Sequence, residues 1–424
     1  MKSEQNSQEQ LQATISKEID NPRLLEQLYR TNPAAFQRAF DAVYPSLADS
    51  PFAVFWHERL SFSASSAPKY QQKDILFVFI GILVSGIIAQ IPTFIGQESD
   101  FFLQRNISYV LFPMVMLYFA RKNEMSFRSL LFPILALLVT VLYINLLPEN
   151  QASDTFQLAC LHLPIFLWVV TGFTFVGGNM TNAHTKMAFL RYNGDLLVMA
   201  VIILLAGGVF TGITLGLFSL IGFDIADFYF NRIAVWGLAG LPVVATFFVQ
   251  ENPQLVGKIS PLIAKIFTPL VLATLTTFLV VVIYTQKSLY NDREFLLLFN
   301  ILLLAVMAII VFSLSEATKQ SISKINLFVL LALACLTLLT NGMALSAIVF
   351  RLFEYGITPN RLTVFGSNVL IFTHLIAVAY QILGVLRGQN DITKVEKSVV
   401  FFIPMYGLWA GLVLFAFPLI FGFA

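Results

Sequence analysis

The sequence predicts an all-helical, polytopic membrane bundle preceded by a small helical segment, and three observations lead there. Of 424 residues, 57% are hydrophobic and 12% charged, against roughly 45–50% and roughly 25% in soluble domains. Residues 1–74 hold 17 of the 50 charged side chains, so the charge is concentrated ahead of the apolar part. From residue 75 the chain reads as eleven long uncharged runs. Each approaches the ~20 residues a helix needs to cross a hydrocarbon core without leaving backbone groups unpaired.

The prefix, residues 1–74, reads as short helices. Asp20 or Asn21 caps a helix opened by Pro22, and Asn32 repeats the device before Pro33, because proline suits the first helical position. Leu24, Leu25, Leu28, Phe36, Phe40 and Val43 then form one apolar stripe. A third piece, PFAVFWHERLSF, mixes Phe55, Trp56 and Leu60 with His57, Glu58 and Arg59. It reads either as a segment lying on a membrane surface or as part of a hairpin that packs on itself. SASSAPKYQQK is a flexible link. No apolar stretch of signal-peptide length follows a basic start, so the first span is expected to direct insertion.

The runs in residues 75–424 cover 75–95, 101–120, 129–147, 156–178, 196–222, 233–250, 266–285, 295–315, 325–350, 363–386 and 398–423. Arg105 interrupts the second and is expected to reach back to the interface, as long basic side chains do. With the N-terminus cytoplasmic, that side receives 20 Lys and Arg and the other side 6. The positive-inside bias therefore predicts eleven spans with a cytoplasmic N-terminus and an external C-terminus. Gly208, Gly212 and Gly216 make a small-residue face at helical spacing, read as a close helix contact or a hinge. Cys160 and Cys335 sit in apolar runs and read as packing residues, not a disulfide.

The ninth connection, RLFEYGITPNRLTVFGSNVL at 351–370, is the most informative stretch. One helix is expected to run through Arg351, Glu354 and Tyr355 and stop at Gly356. The next restarts with Thr358 as cap and Pro359 at its first position. Arg361 then lies in a first helical turn, where the macrodipole disfavours a cation, and Glu354 is the nearest candidate to hold it. The group is either a clamp fixing the angle between two helices or a positive site for an anion, since guanidinium suits phosphate and carboxylate.

The run RLFEYGITPNRLTVFGSN resembles the hallmark of a bacterial multi-spanning family known as domain of unknown function forty-one fifty-three. LLEQLYRTNPAAFQRAFDAVYPSLADSPFAVFWHERL resembles the helical prefix found ahead of such membrane regions in Bacteroidetes-type bacteria. Together they cover about 55 residues. The resemblance implies a polytopic helical fold and brings no catalytic residues or cofactor with it.

Polar groups inside the runs make a second constellation. Asn341 lies about 15 Å along its helix from Arg351, and His374 about 20 Å from Arg361. Asn368 and Thr373, with Asn300 and Asn145, are expected to join them. Buried polar groups at this depth are functional candidates, although a lone Asn or His is as readily an interhelical hydrogen-bonding partner. Asp224, Asp227 and Arg232 form a secondary external cluster, read as an ion pair or as an acidic counterpart to the arginines. Glu98, Ser99 and Asp100 make a short acidic pattern.

No phosphate loop, nucleophile elbow, HExxH or metal-spaced His/Cys cluster occurs. Ser321 and Lys324 make an SxxK without a partner motif. Neither a cofactor nor a nucleic-acid partner is expected at a net charge of +2; lipid is the partner the composition demands. The expected function is transport or binding of a small or lipidic anionic solute. Arg351, Glu354, Arg361, Asn341, Asn368 and His374 would form the site. The alternatives are a transferase acting on a lipid-linked substrate through external carboxylates, or an accessory protein whose prefix docks a cytoplasmic partner.

Overall fold

The computed structural model describes residues 2–65, 72–96, 99–148, 150, 152–220, 223–253, 257, 259–285, 293–317 and 324–423. Much of the 63–73 link, together with Glu98, Lys258, Lys287, Lys319 and Ser321, lies outside them. Among the described residues the chain is helical throughout, with no strand. It divides into two compact units, 1–72 and 73–424.

The first unit holds α1 (Lys2–Lys17), α2 (Pro22–Thr31), α3 (Pro33–Leu47) and α4 (Pro51–Ser65). The Oδ1 of Asn21 accepts from the Leu24 amide at 3.2 Å and that of Asn32 from Ala35 at 3.1 Å, so both Asn-Pro pairs cap helices as expected. Leu25, Phe36 and Phe40 are buried, joined by Ile15 of α1, a helix the sequence did not announce, and by Ile19 in the turn after it. Trp56 and Leu60 of α4 complete this core while Phe52 and Phe55 stay exposed. The third piece thus packs on its own unit, because Trp56 and Leu60, one turn apart, share the inward face.

Arg59 stacks over Trp56 at 4.6 Å and Tyr29 at 5.3 Å and reaches Glu26 at 2.8 Å. Arg30, then Arg59, hydrogen-bond the Glu26 carboxylate and hold it below the ordinary value of 4.5. A depressed carboxylate adds stability above its unfolded pKa and loses it as pH falls through the folded one. Acidification below the usual glutamate range should therefore loosen this unit, and Glu26→Gln should flatten that limb of the pH profile, read by proteolysis of the prefix. An unchanged profile in the variant would show that the Glu26 pairs contribute nothing.

The second unit opens with α5 (Gln72–Ile95), α6 (Ser99–Leu111), α7 (Pro113–Lys122), α8 (Phe127–Leu146) and α9 (Asp154–Phe175). Then come α10 (Ala183–Leu220) and α11 (Ala226–Phe228), which leads through a π-turn at Tyr229–Ala234 into α12 (Val235–Glu251). After these follow α13 (Ile259–Thr285), α14 (Arg293–Ala317), α15 (Lys324–Tyr355), α16 (Pro359–Leu386), α17 (Ile392–Phe401) and α18 (Ile403–Gly411). A second π-turn at Leu412–Ala416 precedes α19 (Phe417–Ile420). Among the described residues nine helical stretches are long and apolar enough to cross a membrane, and Asn300–Glu316 is a shorter apolar one.

Two helices differ from expectation. The second run is broken into α6 and α7 at Phe112, because Pro113 has no N–H to give the Tyr109 carbonyl. The fourth connection is not a loop at its C-terminal part. α10 runs 38 residues without interruption through Lys186 and Arg191, about 57 Å at 1.5 Å per residue.

The most enclosed span is α9, packed against α7, α8, α18 and the second π-turn. Its Phe175 meets Phe119, Phe189 and Tyr192 in an aromatic hub with centroids 4.8–5.4 Å apart. Gly208, Gly212 and Gly216 face open space, so among the described residues the small-residue row is not a packing face. Close approach happens where an aromatic ring fills a glycine notch instead. A Cβ on Gly366 would sit 2.0 Å from Trp409, and one on Gly194 would sit 2.0 Å from Phe312. Cys160 is buried and Cys335 exposed, both as free thiols, so Cys335 is not a packing residue within the chain.

Candidate functional site

The corner between α15 and α16 forms as its sequence dictates. Gly356 takes φ +77, the left-handed conformation that ends a helix and that glycine adopts without strain. Thr358 caps α16, its Oγ1 accepting from the Arg361 amide at 3.3 Å. Arg361, however, is not held by Glu354. Its Nη1 donates to the carbonyls of Tyr355 at 2.6 Å and Gly356 at 2.7 Å, and its guanidinium lies 5.5 Å from the Tyr355 ring. The final carbonyls of α15 have no partner within their own helix and carry the negative end of its dipole, so they outcompete an exposed carboxylate. Glu354 points to the exterior. Arg351 is half-buried, and its Nε has no hydrogen-bond partner.

Deeper in, three of the expected asparagines converge. Asn368 donates from Nδ2 to Asn300 Oδ1 at 2.7 Å, and Asn341 donates from Nδ2 to the Asn368 carbonyl at 3.1 Å. This ties α14, α15 and α16 together. Asn341 is fully buried, yet its Oδ1 has no partner. His374 is 2% exposed, stacked on Phe402 at 4.3 Å, with Nδ1 3.1 Å from the Tyr406 hydroxyl and Nε2 unpartnered. Thr373 faces outward and bonds back to its own helix at Val369. Asn145 belongs elsewhere: it exchanges two hydrogen bonds with Asn106, at 2.9 and 3.1 Å.

The secondary cluster does not assemble. Asp224, Asp227 and Arg232 are all exposed, and no hydrogen bond or ion pair among the described residues joins them to each other or to Arg351 and Arg361. Asp224 instead accepts from the Ala226 amide at 3.0 Å, starting α11, a local bond that short side chains find before distant partners. Asp100 is exposed in the first turn of α6. Among the described residues no group of three or more His, Cys, Asp or Glu is placed to hold a metal.

Two arginines held inside the bundle were missed as site residues. Arg105 is 5% exposed. Its Nη1 and Nη2 donate to the Asn145 and Leu147 carbonyls at 3.4 and 3.2 Å, with the rings of Phe101 and Phe156 4.5 and 4.9 Å from Cζ. Arg191 of α10 donates from Nε and Nη2 to the Ser315 carbonyl at 3.0 and 2.7 Å, and Glu316 lies 3.7 Å from its Nε. One turn along α10, Asp195 is also buried, with its Oδ1 unpartnered. Arg105, Arg191 and Arg361 thus share one device, a guanidinium on the carbonyl end of a neighbouring helix.

Both π-turns use the same chemistry with neutral donors. Gln90 of α5 donates to the Asn231 carbonyl at 2.7 Å, and the Tyr143 hydroxyl of α8 donates to that of Phe415 at 3.0 Å. A wider turn leaves carbonyls off the α-helical ladder, and neighbouring side chains collect them.

No family model, curated protein or solved structure matches the chain.

Proposed function

We propose that the protein binds and moves a small or lipidic anionic solute along α15 and α16. One observation carries this reading: Arg351 Nε, Asn341 Oδ1 and His374 Nε2 are buried polar atoms left without hydrogen-bond partners. Leaving such atoms unmet inside a bundle costs about 1–3 kcal/mol each, which favours a ligand or water that meets them. Arg351 supplies a donor for the anion at the rim. Asn341 offers an acceptor for a solute hydroxyl, and His374 a further station on the other helix. Arg361 drops out of the binding role and becomes the clamp.

The same proposal takes the protein as a bacterial inner-membrane protein with a cytoplasmic N-terminus and an external C-terminus. Counting α6 with α7 as one broken crossing and α14 as another makes eleven. The split of 20 against 6 Lys and Arg supports the orientation. Membership of the family that the ninth connection resembles is part of this proposal.

Native mass spectrometry of the full chain from membranes, with wild type beside Arg351→Gln and Arg361→Gln, tests it. Arg351→Gln should lose a co-purifying anionic species at normal abundance. Arg361→Gln should keep that species and lose thermal stability by about 0.3–2 kcal/mol, the range for a cation at a helix C-terminus. A wild type carrying no anion, or an Arg351→Gln that keeps it, overturns the site.

A further inference from the structure

α4 has two faces, and only one of them is used inside the N-terminal unit. Ala53, Trp56 and Leu60 recur at helical spacing and are buried in its core. Phe52, Val54 and Phe55 are 42%, 41% and 60% exposed. Phe55 lies two positions from Ala53, about 200° round the helix from it, and so points away from that core. Among the described side chains of residues 1–65 no other large apolar residue is so exposed. The unit keeps its large apolar groups inside everywhere except in this one turn, and a concentrated patch of this kind marks a surface that meets something apolar.

Chain length and charge decide what covers it. α4 ends at Ser65, and α5, the first helix long and apolar enough to cross a membrane, starts at Gln72. The six residues between them reach at most about 25 Å, and Phe55 lies about 15 Å from Ser65 along its helix. The patch therefore stays within about 40 Å of the point where the chain enters the bilayer. Lipid is present there at high effective concentration, whereas a protein partner has to be recruited. Around the patch, Asp49 and Glu58 are exposed, while His57 stacks on Tyr44 and Arg59 is turned onto Glu26 and the Trp56 ring. Nothing in this setting suits an acidic partner or anionic headgroups, so the contact is apolar.

We propose that this turn of α4 docks on the bilayer surface, with Phe52, Val54 and Phe55 inserted at the boundary between headgroups and acyl chains. Aromatic and branched apolar side chains are the ones an interfacial helix presents to lipid. The two readings that the segment's sequence allowed then describe opposite faces of one helix, Trp56 and Leu60 packing inward and Phe55 facing lipid. The docking requires neither the solute path along α15 and α16 nor a particular side of the membrane.

The test uses the full chain in phosphatidylcholine nanodiscs, carrying Cys160→Ala and Cys335→Ala, with a spin label attached to Phe55→Cys. Collisions of the label with oxygen, which partitions into acyl chains, are compared with collisions with a water-soluble nickel complex. The label is expected to meet oxygen more than nickel. Adding Phe52→Asp and Val54→Asp should invert that order, because carboxylates resist entry into hydrocarbon. Both positions are exposed, and an acid at position 52 suits the first turn of α4, so proteolysis of residues 1–65 should keep the wild-type rate. High salt should leave the oxygen preference in place, since an apolar contact is not screened. A label that meets nickel more than oxygen while Phe52 and Val54 are intact overturns the proposal, whatever the double variant does. A label shielded from both reagents lies against protein, a second copy included, and overturns it as well. So does an oxygen preference that the two Asp substitutions leave unchanged or that high salt abolishes.

Discussion

Trp56→Ala is expected to unfold the N-terminal unit while leaving the membrane bundle intact. The indole is 1% exposed, its ring centroid 5.2 Å from Phe36 and 5.8 Å from Tyr29, with the Arg59 guanidinium stacked on it. Truncating a buried aromatic to alanine costs about 3–5 kcal/mol. A unit of this size buries too little apolar surface to hold much more than about 5 kcal/mol in total, so the loss consumes most of its stability. Limited proteolysis of the full chain in nanodiscs should then cut rapidly within residues 1–65 and spare the remainder. Equal cleavage rates in variant and wild type would show that this core is held by something other than Trp56.

The second large effect is expected at Arg191→Met. The substitution keeps much of the side chain's length and removes the guanidinium from Glu316 and from the Ser315 carbonyl. The two side chains are 12% and 3% exposed. Removing one partner of a buried ion pair costs about 3–5 kcal/mol, because the other charge stays behind without it. Arg191→Met should therefore melt well below wild type, and adding Glu316→Gln should recover part of the loss, the signature of coupled residues. If the single variant melts as wild type does, the pair is inert and α10 is held to α14 by packing alone.

The parts legible in the sequence were those with local causes. Apolar length marked the helices. Asn-Pro and Thr-Pro pairs marked caps at Asn21, Asn32 and Thr358, and Gly356 marked a helix end. The asparagines at 300, 341 and 368, like His374, could be named as intramembrane polar groups because amide and imidazole side chains stand out in apolar runs. Which of them would bond to which was not legible. A helix apolar on all sides carries little information about its rotation, so Asn145 was grouped with Asn341 although it pairs with Asn106.

The arginines were misjudged for a different reason. Their charges suggested carboxylate partners or solvent, and the sequence has no symbol for a carbonyl at the end of another helix. Arg361 was assigned Glu354, Arg105 was read without its carbonyl partners, and Arg191 was left in a connection that is in fact part of α10. Asp195 and Glu316 were overlooked with it, since charges near the ends of apolar runs read as boundaries.

The two π-turns also set the angular phase of everything after them. Each adds one residue to a turn, and one residue is 100° of rotation in an α-helix. A helical wheel started at Ile403 therefore misplaces every position beyond Ala416, including Phe417, which is 1% exposed. Deleting a single residue from Leu412–Ala416 would let the chain close into ordinary helix. The Tyr143 hydroxyl would lose its acceptor, and the Phe417 ring would be swung out of its seat. Insertion of one residue is thus a structural instruction here, aiming the end of the chain back onto α9.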